Sequence, residues 1–222
     1  MLSRPGKVRI KTPMDKLLSS GILIRDIYTI NKQSIRDIFS NDHPIEVEIG
    51  CGKGGVLIQR ARSRPDINLL GIEWLPSYAA LCADRAYRHR LENIRVINAD
   101  AKRVFSFLSE TLIFRRIYIL FPDPWPKRKH WKRRLIKLPF IKRLIPVMEI
   151  GGTIHFATDH LHYYEQVSKL FSTVSGIALV IGSHHFLSKV LIPESNYARK
   201  WLIRGKQIYT LEVVKMSCDC YA

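Results

Sequence analysis

The sequence predicts an α/β fold built on a mainly parallel sheet with an antiparallel edge at its C-terminal side. Three observations predict it. Short runs rich in β-branched residues alternate with helix-like stretches from Ile45 onward, the arrangement that parallel strands joined by crossover helices require. The first run, "IEVEI", opens directly into the glycine-rich "GCGKGG". The last runs, "ALVIGSHH" and "IYTLEVVK" in the tail, are placed as antiparallel strands added at one edge.

The elements follow in order. The first forty residues are basic and mixed, and read as an extended arm ending in a short helix over "KQSIRDIFS". Ile45–Ile49 is the first strand of the repeat, and 56–62 the first helix. Ile67–Glu73, "INLLGIE", is a second strand, and the amphipathic "SYAALCADRAYRHR" a second helix. "IRVINAD" is a third strand followed by the helix "AKRVFSFL", and "RRIYILF" is a fourth. The stretch "LPFIKRLIPVME" reads as a helix ended by Gly151 and Gly152, after which "TIHFATD" forms a fifth strand.

Composition narrows the function classes. The chain has 222 residues, of which 46% are hydrophobic, enough for one sizeable core. Thirty-six Lys and Arg stand against 19 Asp and Glu, a formal charge of +17. A surplus of that size points to a polyanionic partner, nucleic acid first. No apolar run approaches a membrane span, and no basic amphipathic helix supports a membrane surface. The charged start "MLSRPGKVRIKTPMDK" has no apolar segment of the secretory kind. Cys51, Cys82, Cys218 and Cys220 form neither a CxxC pair nor a metal-ligand spacing with histidine, so no metal is expected and a reduced, cytoplasmic protein is. Monomer and homodimer both remain open.

In open α/β sheets, ligands bind beyond the carboxyl ends of the strands. Glu48, Glu73, Asp100, Asp123 and Asp159 all fall at or near such ends. Gly50 and Gly52 lie in the turn after the first of them, where the backbone must bend sharply and let a ligand approach without a Cβ in the way. The loop's spacing fits both a nucleoside cofactor and a dinucleotide. So does Glu73, placed to accept from ribose hydroxyls. Asp100 favours the former, because an acid there can accept from an adenine amino group, and it can cap the following helix at the same time. "LFPDPWPKRKHWKRR" then sets one carboxylate, Asp123, in a proline-rich bend before a strongly basic run. Nine Lys or Arg occur from Lys127 to Arg143 with no acid among them. A carboxylate for a base and cations for a phosphate backbone describe nucleic acid. Trp125 reads either as a stacking surface for a base or as packing for the loop.

"EIGCGKG", Glu73, "NAD", "FPDPWPKRKHWKRR" and "ATD" together resemble the bacterial tRNA (guanine-N7-)-methyltransferases of the TrmB type. The resemblance runs from about Ile45 to the end of the fifth strand and resumes in the tail. It implies a Rossmann-like methyltransferase fold for residues 41–222, behind a basic arm at 1–40. It implies S-adenosyl-L-methionine as cofactor, contacted by Glu48, Gly50, Gly52, Glu73, Asp100 and Asp123. Asp123 is also implied as the catalytic residue, where methyl donor and acceptor meet. Lys127, Asp159, Ser195 and Tyr197 are implied to hold the target guanosine, and Lys129, His130, Lys132, Arg133 and Arg134 to touch RNA. The partner implied is tRNA, methylated at N7 of a guanosine in its variable loop. The alternatives are a methyltransferase on another RNA and a tRNA-binding protein of this fold with weak or lost activity. One position departs from the family's tail pattern: in "SNYARKW" a hydroxyl and an aromatic are kept, but Ala198 stands where an acid is usual.

Overall fold

The computed structural model describes residues 9–25, 35–108, 113–180, 203–205 and 207–217. Its elements are α1 (Met14–Ser19), β1 (Leu23–Ile24), a 3-10 turn (Asp37–Phe39), β2 (Ile45–Ile49), α2 (Gly55–Ser63), β3 (Asn68–Glu73), α3 (Pro76–Arg88), β4 (Ile94–Asn98) and α4 (Ala101–Phe107). Then come β5 (Phe114–Leu120), a 3-10 helix (Arg128–Arg133), α5 (Leu138–Val147), β6 (Met148–Thr158), α6 (Leu161–Ser172), β7 (Ile177–Val180) and β8 (Tyr209–Lys215).

One eight-stranded sheet runs in the order β1-β4-β3-β2-β5-β6-β8-β7. β1 to β6 are paired in parallel, and β8 lies antiparallel between β6 and β7. The antiparallel edge is therefore as the sequence predicts, although "IGSHH" lies outside the described residues. The order runs β4-β3-β2 one way and β5-β6 the other, so it reverses between β2 and β5. That reversal opens a crevice beyond their carboxyl ends.

Each face of the sheet carries its own core. Leu57, Ile58 and Ala61 of α2 and Ala79, Ala80, Ala83 and Ala86 of α3 pack on one face with Leu17 of α1. Val104 and Phe105 of α4, Phe140 and Leu144 of α5, and Tyr163, Val167 and Phe171 of α6 pack on the other. Small alanines on α3 bring that helix close to the sheet, and the aromatic residues fill the deeper opposite layer. Part of the basic N-terminal stretch belongs to the first layer. Thr12 donates through its backbone N–H and its hydroxyl to Oδ1 of the buried Asp84, at 2.8 and 2.7 Å, and β1 extends the sheet beside β4.

Two sequence expectations change. The helix expected over "KQSIRDIFS" is a single 3-10 turn in its described part, stopped by Ser40 in the left-handed region at φ 56°. Ile35 and Phe39 are both buried there, and anchoring these two side chains needs one turn only. The fifth helix ends at Val147 rather than at the glycine pair, because β6 begins at Met148. Pro146 in the last helical turn has no N–H to continue the helix. Gly151 and Gly152 instead sit in a bulge within β6: Phe114 pairs with Met148, and Arg116 already pairs with Thr153. A Cβ on Gly152 would lie 2.8 Å from the carbonyl oxygen of Glu149, which explains glycine at that crowded point.

A buried ion cluster fixes α2 against the sheet. Arg60 donates in bidentate fashion to Glu46 through Nε and Nη2, both at 2.8 Å, and Tyr118 donates its hydroxyl to Glu46 at 2.8 Å. Burial pushes the Glu46 carboxyl up, but Arg60, Tyr118 and Arg116 outweigh it and hold it below its ordinary value. The cluster joins α2, β2 and β5, so it sets where the glycine turn at the start of α2 stands.

Candidate active site

Parallel register brings the predicted acids together. Ile49 of β2 lies beside Ile72 of β3 and Ile119 of β5, and Glu73 lies beside Asn98 of β4. Leu120 of β5 lies beside Ala157 of β6. The residues that follow these strands therefore share one edge of the sheet: the glycine turn in the middle, Glu73 and Asp100 to one side, Asp123 and Asp159 to the other.

The glycine turn is held by Glu73. One carboxylate oxygen accepts from the Gly52 N–H at 2.8 Å, and the other from the Leu75 N–H at 2.8 Å. The Trp74 N–H bonds this carboxylate as well, which leaves one of its four lone-pair sites for a hydroxyl donor. Burial raises the Glu73 carboxyl above its ordinary value against these N–H donors, and the charge of Asp123 adds to the rise. Gly50 and Gly52 have φ of +77° and +55°, and a Cβ on either would meet nothing within 4 Å. The turn thus presents bare backbone to an open crevice.

Gly54 has a different reason. At φ +70° its Cβ would lie 2.3 Å from Sγ of the buried Cys82, so α3 touches the turn there. Gly54→Ala combines left-handed strain with overpacking and is expected to lower stability by about 1–3 kcal/mol in chemical denaturation. Adding Cys82→Ala should recover the packing part only; full recovery would show that the φ angle costs nothing.

Beneath the turn, Glu48 is 5% exposed and its Oε2 has no hydrogen-bond partner among the described residues. Burial, then the nearby Glu73 charge, push its carboxyl up to about 8. A buried carboxylate with an unused oxygen facing a glycine crevice suits a cationic ligand. Asp100 stands exposed beyond β4 and caps α4, accepting from the Lys102 N–H at 2.8 Å through Oδ1. It caps through one oxygen, which is compatible with a ligand contact through the other.

Across the crevice, β5 runs into a bend whose ends are both strained. Phe121 and Trp125 have φ of 53° and 43°, two of the four positive-φ non-glycine residues among those described. Trp125 also precedes a proline, where extended backbone is preferred. Strain of this kind persists only where neighbours fix it. Asp123 lies between them with its tip in solvent, and partial withdrawal from water raises its carboxyl above the usual range. Beyond the bend, Lys127, Lys129, Lys132 and Arg133 stand exposed on and before the 3-10 helix. The Arg133 guanidinium lies over the Trp125 ring at 4.9 Å, and His130 meets the edge of that ring at 5.8 Å. Burial and the charges of Arg133, Lys129 and Lys127 hold His130 below its ordinary value.

Comparison with known proteins places this geometry. A family model described as "Putative methyltransferase" matches residues 42–211. A tRNA (guanine-N(7)-)-methyltransferase of Geobacillus sp. (strain WCH70) is 36% identical over 181 residues, covering 80% of each chain. One from Bacillus subtilis (strain 168) is 33% identical over 180 residues, covering 79% of this chain and 83% of that one. The chain belongs to the tRNA (guanine-N7-)-methyltransferase family. Among solved structures, the antibiotic-resistance methyltransferase Kmr matches with a TM-score of 0.56 at 11% identity, covering 82% of this chain and 92% of that one. An rRNA methylase from Streptococcus thermophilus matches at 0.51 and 13% identity, over 80% and 89%. These two establish the fold, the Rossmann-like methyltransferase arrangement with an antiparallel edge.

Within this family member, Gly50, Gly52, Glu73, Asp100, Asp123 and Asp159 lie along the crevice edge with Glu48 buried beneath the turn, and Lys127, Lys129, His130, Lys132 and Arg133 continue from it. Ser195, Tyr197 and Ala198 lie outside the described residues. Arg134 departs from expectation. It is 0% exposed and turned inward, so it presents nothing to a phosphate. Its Nε donates to the Pro124 carbonyl at 2.8 Å, and its Nη1 reaches His162 Nδ1 at 3.2 Å and the Gln166 amide oxygen. Read as part of a solvated basic run, it hid its real surroundings: Leu135 and Ile136 follow it at once, and an apolar pair there marks the chain turning inward. Trp131, Tyr163 and Gln166, which surround Arg134, carried no signal in a single sequence because they come from two separate elements.

Proposed function

We propose that the protein transfers a methyl group from S-adenosyl-L-methionine to N7 of a guanosine in the variable loop of tRNA, in the cytoplasm. The observation that carries this reading is the pairing, across the β2–β5 reversal, of the buried Glu48, one of whose carboxyl oxygens has no hydrogen-bond partner among the described residues, under a bare glycine turn with Asp123 at the root of an exposed cationic helix. One side suits a cationic nucleoside cofactor; the other suits a base joined to phosphates.

The residues fit that cofactor. Glu48 meets its positive charge, Gly50 and Gly52 let it approach the backbone, Glu73 accepts from ribose and Asp100 from the adenine amino group. When bound, S-adenosyl-L-methionine supplies an electrophilic methyl on a sulfonium. Guanine N7 already carries an in-plane lone pair, so no proton has to leave it before attack. The protein's contribution is then placement and charge. Asp123 accepts from the donor edge of the guanine and balances the positive charge that develops on the ring. Asp159, one strand over, holds the same base from the β6 side, with Lys127 beside it, and Lys129, Lys132 and Arg133 neutralise phosphates.

The deciding experiment is transfer of labelled methyl to unmodified tRNA transcripts, with and without the variable-loop guanine. Label only on the first, located at N7, supports the reading. Label on both moves the target to another site. No label with tRNA still bound favours the inactive binder, to which the Ala198 position would then be relevant. Within the same system, Lys129→Ala with Lys132→Ala is expected to reduce the slope of log affinity against log salt by about 1.5. An unchanged slope would remove these two lysines from the RNA contact.

A further inference from the structure

Arg134 is a charged side chain with no access to solvent, placed directly behind the bend that carries Asp123. Its partners are the Pro124 carbonyl at 2.8 Å, His162 Nδ1 at 3.2 Å and the Gln166 amide oxygen, all uncharged oxygens or a ring nitrogen. Its guanidinium lies 4.9 Å from the Trp131 ring centre and 4.7 Å from that of Tyr163. None of the described carboxylates pairs with it. Nη2 has no hydrogen-bond partner among the described residues. Burial accordingly lowers its pKa from the ordinary arginine value. A buried cation without a counter-ion is an expensive way to fill space, and an apolar side chain of similar volume would do so more cheaply. What the guanidinium adds is a rigid fork that reaches two elements at once.

Those two elements carry the two acids. Pro124 follows Asp123 directly, and His162 and Gln166 belong to α6, which starts two residues after Asp159. The same contact is reinforced next door, where the Ile136 N–H donates to the Tyr163 hydroxyl at 3.2 Å. The strained φ angles at Phe121 and Trp125 show that the bend needs an external hold, and Arg134 is the side chain that supplies one at its centre. We propose that Arg134 is a positioning residue, a clamp that fixes the Asp123 bend relative to α6 and so sets the spacing of Asp123 and Asp159 for methyl transfer. The role rests on the methyltransferase reading above. It replaces the expectation that Arg134 touches RNA.

The test compares wild type with Arg134→Met, which keeps an unbranched apolar stem but loses the fork and its contacts with the Trp131 and Tyr163 rings. Wild-type transfer to tRNA is the control for the methyltransferase reading, and its absence would count against that reading rather than the clamp. Amide hydrogen exchange needs no activity: Pro122, Pro124 and Pro126 carry no amide proton, but the Phe121 N–H, bonded to the Ala157 carbonyl at 2.8 Å, is expected to exchange at least tenfold faster in Arg134→Met while the strands keep their protection. At saturating tRNA and cofactor, single-turnover transfer should fall about a hundredfold, with cofactor Kd and the salt slope of tRNA binding unchanged. Gln166→Ala, which removes one anchor from a half-exposed position, should give a smaller loss in the same step. If Arg134→Met does not fold, Gln166→Ala carries the test alone. Unchanged exchange and unchanged transfer in the variants would overturn the clamp. So would a loss confined to tRNA affinity with a reduced salt slope, which would return Arg134 to the RNA surface.

Discussion

Glu48→Gln is expected to weaken cofactor binding by about a hundredfold or more while making the protein without ligand more stable. The carboxyl is buried, one oxygen has no partner among the described residues, and its pKa is pushed up to about 8 from 4.5 in an open chain. The folded protein therefore holds a proton that the unfolded chain releases. The stabilising contribution is fully present below pH 4.5 and is lost as pH rises towards 8. At about 1.4 kcal/mol per pH unit, the loss by neutral pH is on the order of 3 kcal/mol. Glutamine is neutral at every pH, so the variant should lack this slope and exceed wild type by a few kcal/mol at pH 8. A cation in the crevice reverses the balance. It holds Glu48 ionised, so binding expels a proton, and affinity should weaken about tenfold for each pH unit below 8. Glutamine cannot supply the charge, and a loss of about a hundredfold or more in affinity follows. Denaturation from pH 5 to 9, with calorimetry in two buffers of different ionisation heat, reads both effects. Binding by the variant within threefold of wild type would show that Glu48 does not meet the cofactor.

This residue also shows why the crevice was legible in sequence. Acid, glycine turn and strand period all act over a few neighbouring residues, and parallel pairing then places every strand end on one edge. Glu48, Glu73, Asp100, Asp123 and Asp159 needed only the correct strand count to fall together. The contacts that fix the site were not legible, because they join residues far apart. Arg60 meets Glu46 across 14 positions and Tyr118 meets it across 72, with nothing local to announce either pairing. The bulge in β6 was misread because a glycine pair after a helical run looks like a helix stop, and only the crowding by the Glu149 carbonyl explains it. Arg134 was misread in the opposite direction. Its neighbours in sequence are cations on the surface, whereas its neighbours in space are a proline carbonyl and the side chains of α6.

Asp123→Asn is expected to reduce methyl transfer by about 10²–10³-fold at saturating cofactor and tRNA, with a much smaller change in cofactor affinity. The argument starts from the guanine. Its edge opposite the attacking nitrogen carries hydrogen-bond donors, and a carboxylate answers them with acceptors alone. Asparagine keeps the shape but turns one acceptor into a donor, so part of its amide opposes the base. The bend amplifies the effect. With strained backbone on both sides and Arg134 on the carbonyl of Pro124, the backbone at 123 has little freedom to re-aim the side chain. Because N7 needs no deprotonation, the loss should not be recovered by raising the pH, as a missing general base on the nucleophile would allow in part. Asp123→Ala should instead regain activity with added formate, which returns the charge and both acceptors to the vacated space. The ionised form is the active one, so wild-type transfer should decline as acid protonates Asp123, at a pH above the ordinary aspartate range since partial burial raises this carboxyl. Transfer by Asp123→Asn within threefold of wild type, or no formate rescue of Asp123→Ala, would reduce Asp123 to an acid that merely shapes the turn.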